Sequence, residues 1–254
     1  MLVTMRTSLL LALGLAASCA YPRFHTALSA AEAGPSVATP NGVVRIRFQG
    51  AEIPPTDGDR QWDDDGTGPD SYVRIYRDDE LLFESEPAPN AIRPNFDFTT
   101  PNLYLPTSSR VRIELWDDDG VRQPASISAW TGRGLPPMAL RDADAHLTMD
   151  RHALLNFRVI APTVERGVGI LEFEARSDRL VVLEVVRFSP AGRAGLRAGD
   201  EIVSIGERAI ADMSTAEAQS ALSMASSRRA SVRYERNGSS EEASIDGGYV
   251  WQTR

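Results

Sequence analysis

Short stretches in which apolar and polar residues alternate recur in the first two thirds of the chain. Residues 43–48, 72–76 and 111–116 all alternate in this way, as a β-strand does when one of its faces is buried. Stretches rich in Pro, Asp, Asn and Gly separate these segments, and no helical period of useful length precedes Pro190. Several short strands at this spacing predict an antiparallel β-sandwich, so this part of the chain is mainly β.

Strands and helices mix after residue 165. Ser214 is followed by Glu217 three residues later, a capping box that predicts the start of a helix, and Ala218 and Leu222 share one face of that helix. The other predicted elements are strands at 180–186, 200–206, 230–234 and 242–245 and a short capped helix at 189–196. A chain of 254 residues is long enough for two units with separate cores.

The composition excludes several kinds of chemistry. All 27 basic residues are Arg, and the chain has one Cys and three His. These counts exclude a Schiff-base or phosphate-loop lysine, a structural zinc site of the Cys/His kind and an internal disulfide.

The formal net charge is −8, and residues 41–160 hold 20 acidic and 13 basic side chains. Such a chain would repel a phosphate backbone, so nucleic acid is not expected as a partner, whereas clustered carboxylates favour hard cations.

The amino terminus has the features of an export signal. Arg6 precedes an apolar run at residues 8–18 that ends in small residues before Cys19, and the run is too short to cross a bilayer. The position of Cys19 resembles the lipobox of bacterial lipoproteins, although Ala16 stands where that family prefers Leu. The resemblance implies a signal peptide at 1–18, cleavage before Cys19 and a lipid on that residue. An ordinary secreted protein is the alternative.

The residues after the signal are predicted to form a flexible tether. Positions 19–41 are rich in Ala, Pro, Ser and Thr and show no sustained alternation. Ala20 differs from the Asp that lipoprotein sorting usually reads as inner-membrane retention. We therefore expect a location in the cell envelope, on the outer membrane and facing the periplasm.

Two acidic stretches adjoin predicted strands, at residues 63–70 and 117–120. An EF-hand loop with Gly66 at its sixth position would place Gln61 at the first position and Tyr72 at the twelfth. Asp and Glu are required at those two positions, so the EF-hand is excluded.

The acidic stretches resemble instead the loops of the C2 domain, the calcium- and lipid-binding sandwich of signalling proteins. The matching segments are Asp64 with the strand start at 70–73, the Pro-x-aromatic motif at 94–98 and the strand-Trp-Asp sequence at 113–119. The resemblance covers residues 42–161 and implies a C2-like antiparallel sandwich with calcium as a weakly bound cofactor. The implied calcium ligands are Asp64, Asp70, Asp117 and Asp119.

One expected ligand is missing from that pattern. Ala125 stands where the family has a further Asp, so we expect one weak ion rather than two or three. The alternative is that the Asp runs are solvated turns that keep strand edges from pairing.

The sequence SPAGRAGLRAGDEIVSIGER at residues 189–208 carries the most specific resemblance in the chain, to PDZ domains of the bacterial protease-associated kind. The resemblance covers residues 165–248 and implies a small α+β fold, a partly open barrel. That family binds the carboxy-terminal tail of a partner, or an extended internal peptide, as an added strand. Residues 170–173 would pair with this peptide.

The PDZ resemblance also assigns peptide-binding residues. Residues 167–170 match the loop whose backbone N–H groups form a nest for a terminal carboxylate, which requires no Lys. The implied peptide-binding residues are Gly167, Val168, Gly169, Ile170, Leu171, Thr215, Gln219 and Leu222. Thr215 replaces the His of many members, so the peptide preference cannot be carried over. A simple turn is the alternative interpretation of the glycines.

These features predict a non-enzymatic, lipid-anchored adaptor that binds the carboxy terminus or an extended peptide of a partner protein. The sequence contains no G-x-S-x-G and no H-E-x-x-H, so it lacks these hydrolase signatures. A regulatory or substrate-recruiting subunit of a separately encoded periplasmic protease is the alternative. A purely structural envelope protein is a third hypothesis, and it predicts that neither peptide nor calcium binds.

Overall fold

The computed structural model describes residues 21–32, 39–63, 66–120, 123–140, 144–225 and 229–253. The predicted signal peptide and Cys19 lie outside these residues. In the described part, the first eleven strands are β1 (Arg23–Phe24), β2 (Ser29–Ala31), β3 (Val43–Glu52), β4 (Ser71–Arg77), β5 (Glu80–Glu84), β6 (Phe98–Thr99), β7 (Leu103–Tyr104), β8 (Arg110–Asp117), β9 (Ala125–Arg133), β10 (Ala145–Thr148) and β11 (Leu154–Ile160). The remaining strands and the α-helices are β12 (Val164–Gly167), β13 (Ile170–Ala175), β14 (Leu180–Val185), α1 (Pro190–Arg193), β15 (Glu201–Ile205), β16 (Arg208–Ala209), α2 (Thr215–Met224), β17 (Ala230–Arg236), β18 (Ser239–Ile245) and β19 (Gly248–Val250), and two short 3-10 helices lie at Pro137–Leu140 and Ile210–Asp212.

Strands β3 to β11 form a sandwich of two antiparallel sheets. One sheet has the order β10-β11-β3-β6, with β7 also paired to β3, and the other has the order β5-β4-β8-β9. The apolar residues Phe48, Ile75 and Ile113 of the alternating segments are fully buried in one core. The alternation in the sequence therefore marks the side chains that face inward. The predicted antiparallel sandwich and the mainly β fold class are confirmed.

The carboxy-terminal unit combines a sheet with two helices. The sheet runs β13-β14-β15-β17-β18, with β16 beside β15, and β12 pairs separately with β19. Both helix starts form as the sequence predicts: the Ser189 hydroxyl accepts a bond from the Gly192 N–H, and Ser214 and Glu217 form the capping box of α2. Ala218 and Leu222 of α2 lie in the second hydrophobic core.

A buried ion pair connects the start of β15 to β17. The carboxylate of Asp200 is almost completely buried, and it accepts bonds of 2.7 and 2.8 Å from the Nε and Nη2 atoms of Arg236. The Arg197 N–H donates to the same carboxylate over 2.7 Å. The loop that precedes β15 is therefore tied to a strand that lies well beyond it in the sequence.

The two units contact each other through a small apolar cluster. Val43 of the sandwich packs with Val164 and Trp251 of the carboxy-terminal unit, and the rings of Tyr104 and Phe188 meet edge to face at 5.0 Å. Side chains of both units therefore pack against one another where the units meet.

The buried side chain of Asn102 adds polar contacts at this junction. Its Nδ2 donates to the carbonyl oxygens of Thr163 and Gln252 over 2.8 and 2.9 Å, and its Oδ1 accepts from the Thr163 N–H over 2.8 Å. These bonds satisfy backbone groups of Thr163, in the connection between the units, and of Gln252, which follows β19.

The described part of residues 19–41 differs from the predicted flexible tether. Strand β1 pairs antiparallel with β13, and β2 pairs antiparallel with β12. The composition of this segment gives no strand signal, because the partners that complete its hydrogen bonds lie more than a hundred residues away along the chain. Both β1 and β2 therefore belong to the sheets of the carboxy-terminal unit.

Candidate functional site

The loop at residues 167–170 connects β12 to β13 and requires glycine at its centre. Gly169 has a φ of +83°, and a Cβ there would overlap the Cβ of Ser189, the residue that caps α1. Both the backbone conformation and the lack of space therefore select glycine at this position. Gly167, Val168, Gly169 and Ile170 are all buried.

The sheet edge that is predicted to receive a peptide is the edge of β13. In this structure the chain's own residues occupy it. The Ala175 N–H donates to the carbonyl of Pro22 over 3.0 Å, and the Thr26 N–H donates to the carbonyl of Ile170 over 3.4 Å. Between these bonds, Arg23 faces Glu174 in the register of β1 and β13.

Helix α2 contacts the same residues from the other side. The Nε2 of Gln219 donates to the carbonyl of His25 over 2.9 Å, and the His25 ring contacts the carbonyl of Leu171. Thr215 is partly exposed, and Leu222 is fully buried in the core. The groove between β13 and α2 thus has room for one extended strand.

The structure assembles the sequence-predicted groove residues around this space. Ile170, Leu171 and Gln219 bond or contact the strand in the groove, and Gly167 faces Leu28 and Ala27. Sequence reasoning missed Phe24, whose ring stacks at 5.7 Å on the ring of Phe173 in the strand predicted to pair with a peptide. It also missed Ser189, and only the need for space at Gly169 could have identified this residue.

An acidic cluster lies at one end of the sandwich. One carboxylate oxygen from each of Asp63, Asp117 and Asp119 lies within 4.8 Å of the other two, which suits a hard cation that takes carboxylate oxygens. Asp64, a predicted ligand, lies outside the described residues.

The fourth predicted ligand, Asp70, is not in that group of three carboxylates. The Oδ1 of Asp70 accepts a bond of 2.7 Å from the Asn90 N–H, and its own N–H donates to the Oδ1 of Asp117 over 2.8 Å. Ala125 pairs directly with Asp117 across β8 and β9 and adds no oxygen there. Sequence spacing missed Asp63, because a run of adjacent Asp residues does not show which one points inward.

The Asp117 side chain is the buried member of the cluster. Burial, together with the carboxylates of Asp119 and Asp63, raises its pKa to about 6, while the bond from the Asp70 N–H opposes this rise. A cation bound between these side chains would reverse the effect, because it favours the charged form of each carboxylate.

Comparison with known proteins places a PDZ domain in the carboxy-terminal unit. Residues 168–246 match the PDZ domain family. A solved structure of the HtrA3 PDZ domain bound to a phage-derived ligand (FGRWV) is 24% identical, with a TM-score of 0.28, and the match covers 35% of this chain and 90% of that chain. A comparison with curated proteins gave no match.

The sandwich resembles solved C2 domains. One is described as the structure of a C2 domain, with 13% identity, a TM-score of 0.35 and coverage of 47% of this chain and 98% of that chain. Another contains two C2 domains of extended-synaptotagmin 2 with calcium bound, with 19% identity, a TM-score of 0.38 and coverage of 52% of this chain and 49% of that chain. Among the described residues, no helix is long and apolar enough to cross a membrane.

Proposed function

We propose that this protein is a non-enzymatic adaptor whose PDZ domain binds an extended peptide, or the carboxy terminus, of a partner protein. The observation that supports the proposal is the strand-shaped space between β13 and α2, in which a backbone bonds to both Ile170 and Gln219. Addition of a strand to a sheet edge is a common way for proteins to hold peptides. The buried loop at residues 167–170 lies where the peptide would end.

The experiment that tests this proposal is selection from a peptide library displayed with free carboxy termini. We expect the purified protein to enrich a defined set of peptides, and we expect amidation of the carboxy terminus to weaken their binding at least about tenfold, because the nest then loses its charged partner. Equal binding of free and amidated forms would exclude the carboxylate nest and leave internal-peptide binding. No enrichment would contradict the whole proposal.

We further propose that Cys19 carries a lipid and holds the protein at the outer membrane, facing the periplasm. The apolar run followed by Cys19 in the sequence supports this assignment. In the alternative role, the adaptor recruits substrates to a separately encoded periplasmic protease. Incubation with casein distinguishes these roles from enzymatic activity, since neither predicts cleavage by the pure protein.

A second candidate function, weak calcium binding, is favoured by the acidic cluster on the sandwich. The carboxylates of Asp63, Asp117 and Asp119 supply the hard oxygen donors that calcium takes, and no such donor stands at Ala125. The raised pKa of Asp117 means that the folded protein without a cation disfavours a negative charge on this side chain.

Millimolar calcium is expected to raise the melting temperature at about pH 7.5 and to have little effect at about pH 5. The pKa of Asp117 in the folded protein is raised to about 6. Because that pKa is above its ordinary value, the stabilisation from its proton is complete below about pH 4 and is lost as the pH rises through about 6.

Asp117→Asn keeps the acceptor for the Asp70 N–H and removes the charge. It should stabilise the calcium-free protein by about 2 kcal/mol at neutral pH and abolish the calcium response.

The matched control is Asp118→Asn, on the neighbouring residue that lies outside the group of three carboxylates. This variant should keep the calcium response of the unchanged protein. A calcium-induced shift that persists in Asp117→Asn would show that the cluster does not hold the ion.

A further inference from the structure

We propose that residues 21–28, here called the amino-terminal segment, are an intramolecular ligand of the PDZ groove that a partner peptide must displace. This inference rests on the proposed function of the groove, and it adds a means of regulation. The segment uses the same edge of β13 and the same side chain of α2 that a partner peptide would need.

The backbone of the segment completes the sheet edge. It bonds to β13 from the Ala175 N–H at one end to the Ile170 carbonyl at the other, which spans the whole strand. A second peptide cannot form these bonds at the same time, because the segment already pairs with this edge of β13. Occupancy by the segment and by a partner is therefore mutually exclusive.

The side chains of the segment fill the groove at alternate positions. Phe24 stacks on Phe173, Leu28 packs against Gly167, and Thr26 is 4% exposed with its hydroxyl donating to the Ile170 carbonyl over 2.6 Å. This alternation is that of a bound strand whose inward side chains are recognised. The segment thus supplies both the backbone bonds and the side-chain contacts of a peptide ligand.

The contacts on the outer side of the segment are weak, so it can be displaced. Arg23 reaches Glu172 only at 3.5 Å with 63% of its side chain exposed, and Tyr21 is 50% exposed. Strand β1 has two residues, too few to be stable apart from the edge it adds to. Its connection to the rest of the chain adds to these contacts, because a short connection gives an effective concentration in the millimolar range.

The test uses the full chain and a fluorescein-labelled peptide with the sequence of residues 21–28, YPRFHTAL, blocked at both ends. The double variant Phe24→Gly with Thr26→Gly removes the ring that stacks on Phe173 and the buried side chain of the segment. We expect it to bind the labelled peptide at least about tenfold more tightly than the unchanged protein, because its groove is no longer filled in cis. The matched control, Arg23→Gly with Ala27→Gly, changes two exposed positions and should bind as the unchanged protein does.

Hydrogen exchange gives a second readout that needs no variant. A saturating library-selected peptide should speed the exchange of amides 23–28 in the unchanged protein, because the displaced segment loses its pairing. Equal binding of the labelled peptide to all three proteins, or protection of amides 23–28 that survives a bound library peptide, would overturn the inference and leave the proposed function intact. If neither library peptides nor the labelled peptide bind any variant, both proposals fail.

Discussion

Replacing Asp200 by alanine is expected to lower the free energy of unfolding of the PDZ domain by about 3 kcal/mol. The carboxylate is 1% exposed and accepts two bonds from Arg236 and one from the Arg197 N–H. Hydrogen bonds with a charged partner contribute about 1.5 to 3 kcal/mol each, and the arginine left behind recovers part of this loss through water. Urea denaturation followed by circular dichroism measures the change.

The control for this prediction is Asp178→Ala. Asp178 also forms an ion pair with an arginine, Arg179, at 2.7 Å, but its side chain is 51% exposed. Exposed pairs contribute little because water already solvates both charges. Equal shifts of the unfolding midpoint in the two variants would mean that burial of the Asp200 pair has no special role.

Replacing Gly169 by alanine is expected to destabilise the PDZ domain by about 3 kcal/mol and to abolish peptide binding. A non-glycine residue at a φ of +83° is strained, and the added methyl group would overlap Ser189. Movement of Ser189 would also disturb the start of α1, because the Ser189 hydroxyl accepts the bond from the Gly192 N–H. Thermal unfolding and the library-selected peptides measure the two effects separately.

Gly195→Ala separates strain from overlap. Gly195 has a φ of +93° and no heavy atom within 4 Å of the position of an added Cβ. The substitution should therefore incur only the backbone strain, about 1 to 2 kcal/mol. If Gly195→Ala and Gly169→Ala destabilise the protein equally, the contact with Ser189 does not explain the glycine at position 169.

The elements that could be predicted from sequence are those whose signals are local. The capping box of Ser214 with Glu217 lies within one turn of α2, and the alternation at residues 43–48 reports a single buried face of β3. Strand β1 could not be predicted, because two residues of an Ala- and Pro-rich stretch become a strand only when β13 provides the edge. The fold of each unit was therefore accessible from the sequence, whereas the occupant of the groove was not.

The acidic cluster is a second example of a feature that depends on contacts beyond the local sequence. The spacing before Asp70 selects Asp64, which lies outside the described residues, and the structure places Asp63 beside Asp117 and Asp119. In a run of adjacent Asp residues, the turn decides which carboxylate faces inward, and turn geometry depends on contacts such as the bond from Thr67 to Asp63. Residue type and approximate position were predictable, and the place of Asp63 in the cluster was not.

Strand β1 begins only four residues after Cys19, which determines how far the protein reaches. If Cys19 carries the proposed lipid, an occupied groove keeps the edge of the PDZ domain within about 14 Å of the anchor, at about 3.5 Å per residue. Release of residues 21–28 frees the chain as far as β2, which begins at Ser29, a contour length of about 35 Å. A partner that takes over the groove would thereby more than double the length of free chain between the anchor and the folded protein.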